Sequence, residues 1–283
     1  MQVTYVECMG FMIFHFDTSC AVSGCLLHCV MAFALAIIFQ IAIQMALIIS
    51  KIARFDYPHH WKSLIPHILQ QIASVKPESS HPLNFNIMLI FKFLVKELSS
   101  KQLPGDKKLF CEVCCDCFNP TFSLLHSFHS TFCNLLKAGG VGQTNVLLQN
   151  EIILLKAFRC MRNGFDPTTK QAFLEAVFSN TKKLLHILFS EQLSENILPA
   201  FHKLLIIMSK ILRDVSESDD CLHYAQQLLG LSLQCIYAYA KNQDSFKERF
   251  VVNCMIQIKF VTNHPRFQQM QMVSLEDVQE LLR

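Results

Sequence analysis

The stretch FDYPHHWKSLIPHIL, residues 55–69, decides how the rest of the chain is read. It follows a run from Thr18 to Ser50 that contains no Asp, Glu, Lys or Arg, so that run either crosses a bilayer or packs against protein. Within the stretch, Asp56 is a favourable helix N-cap, and Pro58 falls where a missing N–H costs nothing, in a first helical turn. Trp61, Leu64, Ile65, Ile68, Leu69 and Ile72 then form one apolar stripe at helical spacing. Pro66, inside that stripe, predicts a kink.

Working back toward the N-terminus, Cys20 to Phe39 supply about the ~20 apolar positions that a bilayer core requires. A membrane anchor is therefore one open reading of residues 20–39. A cleaved leader fits poorly, because no Lys or Arg precedes the apolar run. From residue 40 the pattern changes: Gln40 and Gln44 share a face while Ile41, Met45, Ile48, Ile49 and Ile52 recur at helical spacing.

Working forward, apolar-periodic segments run over about 84–100, 106–118, 121–136, 145–162, 168–189, 195–213, 219–241, 245–262 and 274–282. Asp106 is placed to cap the helix after the turn QLPGDKK, and Asn119-Pro120 separates two of the segments. Five of the eight glycines, including Gly105, Gly142 and Gly164, punctuate the segments, and no sustained period-two alternation suggests sheet. The expected fold is all-α. About ten or eleven helices, paired roughly every 40–47 residues, have the spacing of HEAT or armadillo arrays, in which antiparallel pairs stack into a right-handed superhelix. A compact bundle is the competing all-α arrangement.

Composition narrows the function classes. A net charge of +3 over 283 residues, with no tract of clustered Lys and Arg, excludes a conventional nucleic-acid surface. Lys51, Arg54, Lys62, Lys156, Arg159, Arg162, Lys182, Lys183 and Lys203 read as scattered, solvated helix edges. Thirteen cysteines, an odd number at low density, and no permitted Asn-x-Ser/Thr sequon fit a reducing compartment.

The sharpest local cluster is CEVCCDCF, with Cys111, Cys114, Cys115 and Cys117 followed by His126 and His129. Thiolates and imidazoles are zinc ligands, but Leu109, Phe110, Val113 and Cys117 continue a helical stripe, which favours core or surface thiols over a metal site. KAGGVGQTN lacks the Lys-Ser/Thr ending of a phosphate loop and reads as an inter-repeat connection. His59 and His60 are adjacent and so point apart, and Ser216 to Asp220 read as helix-capping residues. No catalytic set, cofactor site or metal site is expected, and the chain is read as a non-enzymatic binding scaffold.

QIAIQMALIISKIARFDYPHHWKSLIPHIL resembles a recurrent passage of the importin-β (karyopherin-β) superfamily, in which an apolar helix ending Lys-Ile-Ala-Arg meets Asp-x-Pro-x-x-Trp. SSKQLPGDKKLFCEV and FKERFVVNCMIQIK also resemble segments of that superfamily, in the same order, so the resemblance covers about Gln40 to Lys259. It implies HEAT pairs, with Asp56, Pro58 and Trp61 as the turn motif and Trp61 sealing one helix against its neighbour. It also implies that residues 40–50 are a solenoid helix packed on both sides.

The implied organisation is a family-unlike hydrophobic segment over 1–39, a solenoid fragment over 40–267 and a truncated helical end over 268–283. The implied function is nuclear import, by a receptor that moves between cytoplasm and nucleus. Its implied partners are protein cargo, Phe-Gly nucleoporins and the GTPase Ran, whose contact is expected to be weakened because Ran binds mainly across the first few repeats. A membrane partner is expected only if residues 20–39 form an anchor.

Overall fold

The computed structural model describes residues 40–77, 82–137, 141–190 and 197–216, together with scattered residues between 230 and 259. The membrane reading of residues 20–39, most of Ser216–Asp220 and the end segment 268–283 lie outside the described residues. Among those described there is no strand. No helix among them is long and apolar enough to cross a membrane.

Among the described residues up to 216, seven α-helices follow one another: α1 (40–56), α2 (Leu64–Ala73), α3 (Pro82–Ser99), α4 (Pro104–Lys137), α5 (Val141–Met161), α6 (Pro167–Ser190) and α7 (Leu198–Ser216). A 3-10 turn, Arg162–Gly164, closes α5. They form two layers. In the odd-numbered layer α3 packs on α5 and α5 on α7, while Lys51 and Arg54 tie α1 to Glu97 of α3. In the even-numbered layer α2 packs on α4; α4 lies against α5, and α6 against α7. Neighbours in the chain are thus neighbours in space, which is the all-α solenoid arrangement of stacked pairs. One core runs through it, with Phe91, Phe128, Phe132, Phe158, Phe173 and Phe201 each fully buried.

Several local expectations are corrected. Asp56 does not cap the next helix; it is the last residue of α1, and its carbonyl accepts from the N–H groups of His60 (2.8 Å) and Trp61 (3.2 Å). Pro58 lies in the turn that follows, after a cis Tyr57–Pro58 peptide bond, and α2 starts only at Leu64. Pro66 consequently falls in the first turn of α2, where it removes no intrahelical bond and causes no kink. The Asp-Pro start does occur elsewhere: Asp166 accepts from Thr169 N–H at 3.0 Å, with Pro167 as the first residue of α6. Asp106 lies within the first turn of α4, which begins at Pro104, and is held by Lys101 at 3.3 Å.

The expected break at Asn119-Pro120 is absent, and α4 runs through it for 34 residues. Pro120 cannot donate to its helical acceptor. One residue on, the Thr121 hydroxyl donates to the carbonyls of Cys117 (2.6 Å) and Phe118 (3.1 Å). Phe118 and Phe122 stack across the proline with centroids 4.9 Å apart, and both meet Phe158 of α5 edge-on. Packing on both sides of the proline keeps the helix continuous. It also makes the span of α4 and α5 together, 104–161, longer than the 40–47-residue spacing expected.

Helix α1 is packed on one side rather than two. Ala46, Ser50 and Ala53 are fully buried or nearly so, whereas Ile41, Met45, Ile48, Ile52 and Phe55 are 47–78% exposed. The small residues form the face turned toward the rest of the fold.

Candidate protein-binding surface

A helix held between two neighbours and a second layer keeps only a narrow strip for solvent, and in the odd-numbered layer those strips lie side by side. Of the nine cations that looked scattered in the sequence, six fall on this layer or its closing turn: Lys51 and Arg54 on α1, Lys156 and Arg159 on α5, Arg162 in the 3-10 turn and Lys203 on α7. Lys92 and Lys96 of α3 and Lys210 of α7 join them. Lys182 and Lys183 lie on α6, in the other layer, and Lys62 lies between α1 and α2.

Two carboxylates interrupt the strip, and each is shared by two cations. Glu97 accepts from Lys51 at 2.8 Å and from Arg54 at 3.2 Å, while Asp214 accepts from Arg159 Nε at 2.6 Å and also from Arg162. Burial works against the charge on Glu97, but Lys51 and Arg54 hold its carboxyl below the usual carboxylate range. These two bridges tie α1 to α3 and α5 to α7. Burial, reinforced by the charges of Lys203, Lys92 and Lys210, pushes the Lys156 ammonium down to about 8. Lys92 is likewise pushed down, by burial and then by Lys96.

The even-numbered layer carries both signs, with Lys107 and Lys108 exposed on α4 and Lys182 and Lys183 on α6. Glu112 and Asp116 are exposed on α4, near Tyr57, whose hydroxyl is pushed up by burial and then by Cys117, Asp116 and Glu112.

The cysteine cluster does not assemble a metal site. Cys114 and Cys117 point into the core while Cys111 and Cys115 are exposed, because all four lie on one continuous helix. Burial, followed by neighbouring cysteines, pushes the Cys114 thiol up, and burial with Asp116 pushes Cys117 up to about 12. His126 is exposed. His129 is buried instead against Glu151 of α5, with its Nδ1 donating to Oε1 at 2.9 Å and its Nε2 3.8 Å from Cys133 Sγ. Among the described residues no three His, Cys, Asp or Glu side chains are grouped to hold a metal ion. The buried His129–Glu151 pair was missed in the sequence, where the two residues stand 22 apart on separate helices.

Asp56, Pro58 and Trp61 occupy the α1–α2 turn, and Trp61 lies partly buried against the core. His59 and His60 are exposed beside it.

Comparison with known proteins adds a family. The family described as Exportin 1-like protein matches residues 40–118. Importin-11 of Mus musculus and importin-11 of Homo sapiens are each 28% identical over 232 residues, covering 80% of this chain and 23% of the relative. Importin beta-like protein kap113 of Schizosaccharomyces pombe (strain 972 / ATCC 24843) is 22% identical over 156 residues, covering 52% of this chain and 16% of the relative. The chain thus spans less than a quarter of the length of the curated relatives it matches. No solved structure is a significant match.

Proposed function

We propose that the chain is a member of the importin-β superfamily and part of a nuclear transport receptor that binds protein cargo along its stacked helices and catalyses no reaction. The observation that carries this reading is the ordered stacking of α1 to α7, which begins within residues 40–118 matched by the Exportin 1-like family. A stack of this kind offers a long surface whose shape changes by small rotations between neighbouring pairs. Occupancy of one part thereby alters another.

In this reading the partners are cargo protein, Phe-Gly nucleoporins and Ran, and the chain works in both cytoplasm and nucleus. The solenoid occupies residues 40–267, between a family-unlike segment over 1–39 and an end segment over 268–283. Asp56, Pro58 and Trp61 form the family's turn motif, which sets the angle between α1 and α2 and uses the Trp61 ring to seal the join.

Binding of the full chain to an immobilised Phe-Gly repeat segment tests the proposal. Saturable binding that disappears when the repeat phenylalanines are replaced by serine is expected. Equal capture of both repeats, or of neither, contradicts it.

A further inference from the structure

We propose that the solvent-facing strip of α3, α5 and α7 is a docking site for an acidic polypeptide segment, held by Lys92, Lys96, Lys156 and Lys203. The inference deepens the protein-binding reading above and rests on it only for the partner being a polypeptide. Among the described residues, the carboxylates of this strip, Glu97 and Asp214, are each occupied by two cations from their own layer. None of Lys92, Lys96, Lys156 and Lys203 has an ion pair among the described residues. Three of the four are half-buried, so their charge is screened less than that of an ordinary surface lysine.

Like charges converge at the centre of the strip. Lys156 is half-buried on α5, which packs between α3 and α7, and burial together with Lys203, Lys92 and Lys210 disfavours its charged form. An anion seated there relieves both costs at once. Nothing in folding the described residues requires like charges to be gathered from three helices, and surface cations more often alternate with acids. The even-numbered helices show that mixture: Lys107, Lys108, Glu112 and Asp116 on α4, and Glu175, Lys182 and Lys183 on α6.

The dimensions and chemistry select the ligand. Packed helices lie about 8–10 Å apart, so three of them present a row on the order of 20 Å. An extended chain rising about 3.3 Å per residue crosses that row in roughly six residues. The forked cations suited to bidentate phosphate contact, Arg54, Arg159 and Arg162, are already engaged by carboxylates. Among the described side chains, what remains is a set of lysines, point charges on flexible stems that suit carboxylates spaced along a peptide.

Fluorescence anisotropy with the full chain and a labelled decapeptide of Glu and Asp tests this. Saturable binding is expected, at least tenfold weaker in a Lys156→Ala/Lys203→Ala variant and weakened by added salt. A Lys182→Glu/Lys183→Glu variant, altered on the other layer, should bind within about twofold of the unaltered chain, and circular dichroism should show the same helicity in all. Three results overturn the proposal: equal binding of an Asn/Gln decapeptide, no loss in the Lys156→Ala/Lys203→Ala variant, or tighter binding of a single-stranded oligonucleotide with the same number of charges. Phe-Gly binding by the same proteins separates the two readings. If it persists while the acidic peptide fails, only this inference falls; if it fails while the peptide binds, only the transport reading falls.

Discussion

His129 is 4% exposed and would be expected to stay neutral, yet it lies between Glu151 and Cys133. Burial pulls its proton affinity down; the hydrogen bonds to Cys133 and Glu151, and the Glu151 charge, outweigh burial and raise it to about 9. Because the folded value is raised above the unfolded one, the pair's stabilisation is complete below about pH 6.5 and is lost as pH rises through about 9. An NMR titration of the His129 ring should therefore show a midpoint near 9, falling below the ordinary histidine value in Glu151→Gln; an ordinary midpoint in the unaltered chain contradicts the geometry. Removing one partner of a buried pair is costly, so Glu151→Ala should lower stability by roughly 3–5 kcal/mol in denaturant unfolding. Gly164 makes a second residue-scale demand. A Cβ there would lie 2.5 Å from Cys114 Sγ and 2.9 Å from Cys114 Cβ, with Phe110 behind them. Overpacking of this kind typically costs about 1–3 kcal/mol, so Gly164→Ala should melt several degrees lower, whereas Gly105→Ala, with open space around it, should not. The sequence shows Gly164 only as punctuation, since the residue it must clear lies 50 positions earlier.

Helices α3, α6 and α7 are legible in the sequence to within a few residues because their apolar positions recur on one face and Ser, Pro or Asp marks their ends. Helix α4 is not, because Asn119-Pro120 carries a local stop signal that tertiary packing overrides. What overrides it is aromatic: Phe118 and Phe122 flank the proline and interlock with Phe158, Phe165 and Phe173. Phe118→Ala should accordingly cost about 3–5 kcal/mol. Phe55→Ala, on the exposed end of α1 at 78% exposure, should change unfolding by no more than about 0.5 kcal/mol. A similar cost at both positions would show that α1 is covered where the structure leaves it open. The turn at Asp56 to Trp61 was misplaced for a related reason. Capping preference is read from neighbours, while the α2 start is fixed by Leu64 and Ile65 entering the core.

For the molecule as a whole, the solenoid class was legible from the recurrence of apolar helices, and so was the absence of strand signals. The basic strip was not. Lys92 and Lys156 are 64 positions apart and Lys156 and Lys203 are 47 apart, and only the stacking register of α3, α5 and α7 brings them into one row. The same row offers a direct test of the stacking itself. Cross-linking of the intact chain with a short amine-reactive reagent, read by mass spectrometry, reports which lysines are neighbours. The stacked order predicts links from Lys92 or Lys96 to Lys156 and from Lys156 to Lys203 or Lys210. It predicts none between Lys51 and Lys203, whose helices are three packing steps apart, roughly 24–30 Å. Links between Lys51 and Lys203 as abundant as those across α3, α5 and α7 would contradict the solenoid and favour a closed bundle.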